Sequence, residues 1–510
     1  MDPSLAYKEL IERSHELGVL GSCARLLSWD EETNMPSGAV EARSRQLAYL
    51  AGMFHDRQAD PRIAELLSIV AASDLAADVE SPAAVNVREI RRDYEHAVRV
   101  PRSLVEELAR TTSCAHQEWV TSRKANDFGH FRPWLERIVE LKRAEAECLG
   151  YSATPYDALL DTYEPGATTA AVSDLLGALQ SDLLPLLERI LGAADAPDAS
   201  ILHRDYPVDK QRALGEAVAS RIGFDFSRGR LDVSAHPFCS GIAPGDCRIT
   251  TRYRVDDLSE ALFAIVHEVG HGLYEQGLDP SAAGTPMGEA ASLGVHESQS
   301  RLWENIVGRS RAFWAYFFRP AQEQFPAALG RVSLDDFHGA VNHVKPSVNR
   351  VRADEVTYNL HIVVRFELER ALIAGDLAAR DLPGAWNEAY GRTLGVVPAT
   401  DADGCLQDGH WSSGLIGYFP TYAIGDVCGS QLFAQAEREL GEQGDAFARG
   451  DFAPLLGWLR ETVHRHGRRD TAAPLVRRLT GGPLDPGALV GRLQSKYEEI
   501  YRLTPVAASR

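Results

Sequence analysis

The sequence predicts a mainly helical protein with one small β region, and three observations carry that expectation. Apolar residues recur at helical spacing: Leu5, Leu10, Ile11, Leu17, Leu20 and Leu26 fall at near-helical intervals over residues 4–28, and similar stretches run from 40 to 225. The breaks between them, Met35-Pro36-Ser37-Gly38, Glu164-Pro165-Gly166 and Ala196-Pro197-Asp198, are turn chemistry. Residues 229–255 depart from the rule. They are rich in Val, Ile, Thr and Tyr with Gly and Pro between, which predicts a few short strands and tight loops.

A length of 510 residues suggests about three domains on size alone. Against that, the chain shows no repeat of fixed period, no low-complexity tract and no linker. The expected organisation is one large domain over 1–510, with a helical part over about 1–225, a core over about 226–430 and a C-terminal helical part over about 431–510. The net charge of −19 argues against nucleic acid and anionic membranes as partners. No stretch reaches the roughly 18 apolar residues of a membrane span. The first twenty residues lack a basic segment followed by an apolar core, and they read as an amphipathic helix and not as a leader. Seven scattered cysteines without a CxxC pattern fit free thiols in a reducing cytoplasm.

The strongest chemical motif is His267-Glu268-Val269-Gly270-His271. Asp257 is placed to cap its helix, and Glu260, three residues on, to complete a capping box. Leu258, Leu262, Ile265, Val266 and Val269 supply a buried face. His267 and His271 are i and i+4, so both imidazoles leave one side of the helix, a spacing that suits two ligands of one tetrahedral zinc. Glu268 is too close in sequence to chelate with them but can take a proton from metal-activated water. The competing reading is a helix with two surface histidines. The capped, apolar context weighs against it, because burying two unpaired histidines is costly. A third ligand is expected from residues 289–307, and spacing alone leaves it open among Glu297, Glu304 and His296; for Glu297 the competing reading is a salt bridge to Arg301 at i+4.

At this point the chain resembles the carboxypeptidase Taq family of zinc metallopeptidases over nearly its whole length. The resemblance lies in Trp29-Asp30, Met35-Pro36-Ser37-Gly38 and Arg45-Gln46, in His236-Pro237-Phe238, and in Asp246-Cys247-Arg248-Ile249-Thr250. It continues in the HEVGH helix, His296-Glu297-Ser298-Gln299, Arg350 with Ala353-Asp354, the run from Gly404 through Gln407-Asp408-Gly409-His410-Trp411, and Gly417 to Tyr422. His464-Arg465-His466-Gly467 and Thr480-Gly481 also look like the family. The resemblance implies an almost all-helical HExxH zinc-peptidase fold with a deep groove and a small sheet near the site. It implies a homodimer and a metallocarboxypeptidase of broad specificity that disfavours proline at the cleaved position. It also implies one divalent ion per chain held by His267, His271 and Glu297, with Glu268 as the base. Cobalt could replace zinc on the same ligands. Two positions depart from the family: Asn349 stands where Ile or Val is usual, and Cys239 stands where a hydroxyl residue is frequent.

An exopeptidase must bind a free C-terminal carboxylate, and arginine matches it with a planar fork. Motif context singles out Arg350 and Arg248, the resemblance favours both, and Thr250 is expected to support the same loop. The 404–422 segment offers His410, Tyr418 and Tyr422 for a developing oxyanion. A histidine followed twelve positions later by tyrosine looks like related helical zinc peptidases, which favours His410 with Tyr422. Tyr418 and Trp411 are expected in the core. His236 either contacts substrate or caps a strand. The rival functions are an oligopeptidase or endopeptidase on the same scaffold, and a helical binding protein with a vestigial metal site.

Overall fold

The apolar spacing of the first thirty residues becomes one helix, Pro3–Thr33, begun by the Asp2 side chain, which accepts from the N–H groups of Ser4 and Leu5. Ala6 and Leu10 pack against Ile63, Leu66, Leu67 and Val70. Leu5 and Leu26 are exposed, because the apolar set is spread around the helix and one face alone is covered. The computed structural model describes residues 1–504. It is mainly helical, with one small sheet where residues 229–255 predicted strands.

The chain divides into two compact units, each assembled from three segments. The first comprises Met1–Val98, Asp198–Val341 and Cys428–Pro483; the second comprises Arg99–Pro197, Asn342–Val427 and a segment beginning at Leu484. Because the segments of each unit are distant in sequence, no linker-like composition marks a boundary.

In the first unit the sheet consists of β1 (Gly229–Val233), β2 (Cys239–Ala243) and β3 (Asp246–Thr251), in the order β1-β3-β2. β1 runs parallel to β3, and β2 returns antiparallel to it through a tight turn in which Gly245 takes φ +83°. The sheet lies against the helix Leu258–Gly277, which carries the HEVGH motif. That helix also packs on Val208–Ile222 and Leu293–Arg301, and it is apolar nearly all round. Asp257 caps it as expected, accepting from Ser259 and Glu260 N–H groups. The Glu260 carboxylate, expected to complete a capping box, pairs with Arg252 at 3.0 Å. A charged partner beside it competes with the backbone N–H for the same oxygens.

The second unit is built around the helix Tyr358–Ala374, which is buried along most of its length and is contacted by Phe128–Leu149, Pro155–Asp161, Thr169–Leu191 and Leu382–Leu394. One of these departs from the sequence expectation about membranes. Thr169–Leu191 is long and apolar enough to cross one by length and composition. Here it contains Pro185 and buries a leucine-rich stripe, including Leu179, Leu183 and Leu186, in the core of its unit.

Candidate active site

His267 and His271 project from the HEVGH helix toward Glu297 on the helix Leu293–Arg301. Glu297 Oε2 lies 3.8 Å from His267 Nε2 and 3.4 Å from His271 Nε2, and one donor atom from each of the three falls within 4.8 Å of the others. The two helices approach this closely because Gly270 has no side chain. A Cβ there would stand 2.6 Å from Ser300 Cα and 2.7 Å from the Gln299 carbonyl oxygen. The far ring nitrogens are both occupied: His267 Nδ1 is 3.0 Å from Glu304 Oε2, and His271 Nδ1 is 3.1 Å from the His296 carbonyl oxygen. Acceptors at Nδ1 fix the tautomer that leaves the Nε2 lone pairs aimed at the Glu297 carboxylate. Two imidazoles and a carboxylate with oriented outer partners fit a divalent cation.

The other third-ligand candidates lie elsewhere. Glu304 sits in a π-helical segment, Leu302–Gly308, with its second oxygen 3.0 Å from Arg309 Nη2. The His296 ring pairs with Glu275 at 2.9 Å and stacks on His271. Glu297 also makes the Arg301 bridge, through Oε1 at 2.7 Å, so one oxygen is held by arginine while the other faces the histidines.

Without a cation, burial pushes the Glu268 carboxyl up to about 7 against the pull of His267. Burial also draws His271 down to about 4. On His267 burial acts the same way, but Glu297 and Glu304 outweigh it and raise the ring to about 9. Glu297 is held far below the usual carboxylate range despite its burial, by Arg301 and both histidines. Glu297 therefore stays a carboxylate, the form in which it could hold a cation.

Also in the first unit, Arg248 forks onto Asp246, with both bonds at 2.9 Å, and its guanidinium lies 4.1 Å above the Trp29 ring. His236 is exposed, with Nδ1 2.8 Å from the Pro237 carbonyl oxygen. Thr250 is fully buried; its hydroxyl accepts from Phe238 N–H and Ser234 Oγ. Those bonds tie the 234–238 loop to β3.

In the second unit Arg350 is buried on a short turn that Asn349 caps by accepting from Val351 N–H. A polar residue at 349 therefore has a local use. Arg350 Nη2 donates to Asp408 Oδ1 at 2.9 Å and Nη1 to the Tyr358 hydroxyl at 3.1 Å. Asp408 Oδ2 accepts from Arg365 Nε at 2.7 Å, so two guanidiniums share one carboxylate. Burial opposes the charge on Asp408, but the two arginines outweigh it and hold the carboxyl far down. His410 Nε2 and the Tyr422 hydroxyl are 3.2 Å apart, and the His410 ring rests on Phe419. Buried Trp411 donates to Glu369 at 2.7 Å, the core place expected for it, whereas Tyr418 is half-buried, edge-on against Tyr163 and beside His410 and Tyr422.

The sequence matches the family model described as Carboxypeptidase Taq (M32) metallopeptidase over residues 9–497. The chain belongs to that M32 family. It is 48% identical to Thermostable carboxypeptidase 1 of Thermus thermophilus, covering 98% of this chain and all of that one. It is 36% identical to Carboxypeptidase 1 of Bacillus subtilis, covering 97% and 99%. Among solved structures, the M32 carboxypeptidase from Deinococcus radiodurans R1 superposes with a TM-score of 0.94 at 42% identity, covering 98% of this chain and 100% of that one. As an M32 member the chain is a metallocarboxypeptidase, a hydrolase acting on peptide bonds.

Within this M32 chain, sequence reasoning passed over Arg365 and Asp408. Arg365 interrupts the apolar run Ile362-Val363-Val364-Arg365-Phe366, and a buried charge in such a run needs a partner. Asp408 lies inside the run from Gly404 to Trp411, where spacing alone gives it no role. Spacing offers Glu304 only as a ligand candidate, whereas its carboxylate meets the far ring nitrogen of His267.

Proposed function

We propose that the chain is a zinc enzyme that releases single C-terminal residues from peptides with broad specificity, disfavouring proline. The observation that carries this reading is the His267–His271–Glu297 donor group with Glu268 buried beside it. When bound, a divalent ion supplies a Lewis acid that polarises the scissile carbonyl and makes a water acidic near neutral pH. Glu268 takes the proton of the attacking water and returns it to the leaving amine. His410 and Tyr422 donate hydrogen bonds to the carbonyl oxygen as charge develops on it. Arg350 binds the terminal carboxylate. In support, the two arginines on Asp408 leave a surplus of buried positive charge, which a carboxylate would balance. Arg248 is a second contact to the peptide, with Thr250 behind it and His236 at the exposed edge of the same loop region. The nearest rival is an oligopeptidase on this scaffold.

A homodimer in the cytoplasm completes the reading. Exposed Val19, Leu26, Val40 and Tyr49 on the first two helices are apolar surface that a second copy could cover. The test is metal analysis of purified protein, followed by mass spectrometry of a peptide mixture. A ladder shortened one residue at a time from the C-terminus, abolished by chelator and restored by zinc, is expected. Internal fragments would favour the oligopeptidase.

A further inference from the structure

Cys239 and Cys247 are brought together by the β2–β3 hairpin. The register pairs Cys239 with Ile249 and Gly241 with Cys247, so the two cysteines are diagonal neighbours on one face. Their Sγ atoms are 3.7 Å apart and unbonded. Both line a cavity of about 660 Å³ in the first unit, together with Arg25, Gly241, Glu275 and Glu289. Cys247 is buried and Cys239 is partly exposed, so a molecule entering the cavity meets Cys239 first. The pair also touches the helix that bears the metal ligands: Cys247 Sγ lies 4.0 Å from the carbonyl oxygen of Gly272, the residue after His271.

We propose that Cys239 and Cys247 are a reversible disulfide site, oxidised by a small-molecule disulfide entering this cavity, and that the link lowers peptidase activity. Cys239 Sγ, as thiolate, attacks one sulfur of the incoming disulfide. That S–S bond breaks, and one small thiol leaves, carrying the proton that Cys239 gave up. Cys247 Sγ then attacks Cys239 Sγ, the mixed bond breaks, and the second small thiol leaves with the other proton. The protein pair loses two electrons and two protons, and the small disulfide gains them.

The strand register explains why the link would act on the site. Diagonal cross-strand neighbours stand about 7–8 Å apart, beyond the roughly 6.8 Å that a disulfide usually spans between Cα atoms, so closing the bond requires the backbone to move. Closing the bond draws β2 along β3, where the pairing is already irregular between Gly241 and Ala243. It also pulls Cys247 from its seat against Gly272. The effect on activity rests on the proposed metal site, whereas formation of the link does not. The Cys247 thiol and burial hold the Cys239 thiol well above its usual range, so exchange is slow at neutral pH.

The experiment incubates the metal-loaded enzyme with glutathione disulfide at about pH 8.5, where more thiolate is present. Peptide mapping is expected to show a Cys239–Cys247 link, with activity falling by the linked fraction and returning with dithiothreitol. In Cys247→Ser the glutathione adduct should persist on Cys239. Cys239→Ser should keep its activity through the same treatment. Modification of exposed Cys23 and Cys114 without a 239–247 link would overturn the proposal. A link that leaves activity unchanged would overturn its regulatory half, as would equal loss in Cys239→Ser. Reduced enzyme that never hydrolysed peptides would instead count against the proposed function.

Discussion

Arg350 and Asp408 form a buried forked pair, Nη2 to Oδ1 at 2.9 Å and Nε to Oδ1 at 3.3 Å, and the same carboxylate is held from its other side by Arg365. Asp408 therefore fixes the guanidinium without neutralising the pair of arginines. Arg350→Ala should cost about 2–5 kcal/mol, at least roughly a thirtyfold loss in kcat/KM, on peptides with a free C-terminus. Peptides ending in an amide should be poor substrates of the wild type and lose little more. A two-by-two comparison of both enzymes on free and amidated versions of one peptide checks this. Equal losses would make Arg350 structural and move the anchor to Arg248.

Glu268→Gln keeps the shape of the side chain and removes the proposed base. It should retain its metal and lose about 10²–10⁴ in kcat. Metal content by elemental analysis and turnover on one peptide give the answer. A variant as active as the wild type would remove Glu268 from the mechanism.

Glu297 and Glu304 differ in which side of the histidines they face, and their variants should differ accordingly. Glu297→Ala removes one of the three proposed donors, and the protein should purify nearly metal-free. Glu304→Gln weakens only the orientation of His267, so metal affinity should fall by about 10–100-fold. Competition with a chelator of known affinity ranks the two. The reverse order would transfer the ligand role to Glu304.

His464 is buried, with Nε2 2.9 Å from Gln299 Oε1, and burial draws it down to about 3. Its folded value lies below its unfolded one, so the unfolded chain binds the extra proton once pH falls below about 6.5. Stability from this residue is present above that pH and is lost as pH falls toward 3. In His464→Gln, which keeps a donor for Gln299, the slope of unfolding free energy against pH should fall by about 1.4 kcal/mol per unit between about pH 4 and 6. Denaturant titrations of metal-free protein at a series of pH values measure it. An unchanged slope would mean that His464 is protonated in the fold.

What the sequence made legible follows from local rules. The helical spacing, the strands over 229–255 and the Asp257 cap depend on neighbours in the chain, and each appears. The HEVGH spacing placed two imidazoles on one face by geometry alone. What it could not carry depends on partners distant in sequence. Glu304, Glu297 and His296 stood equal by spacing, and their different places come from the close approach permitted by Gly270 and from the π-helical turn. Arg350 was legible as an arginine in a motif, but its sharing of Asp408 with Arg365 joins residues 58 and 43 positions from that carboxylate. Division into two units left no compositional trace because each unit is discontinuous in the chain.

The π-helical segment Leu302–Gly308 also sets how this part of the gene can vary. A π turn holds an extra residue within a helix, so deleting one residue from it would restore ordinary winding and leave the chain beyond in register while turning the residues inside the segment. Glu304, inside the segment, would swing off both His267 and Arg309 with no substitution at any of the three positions.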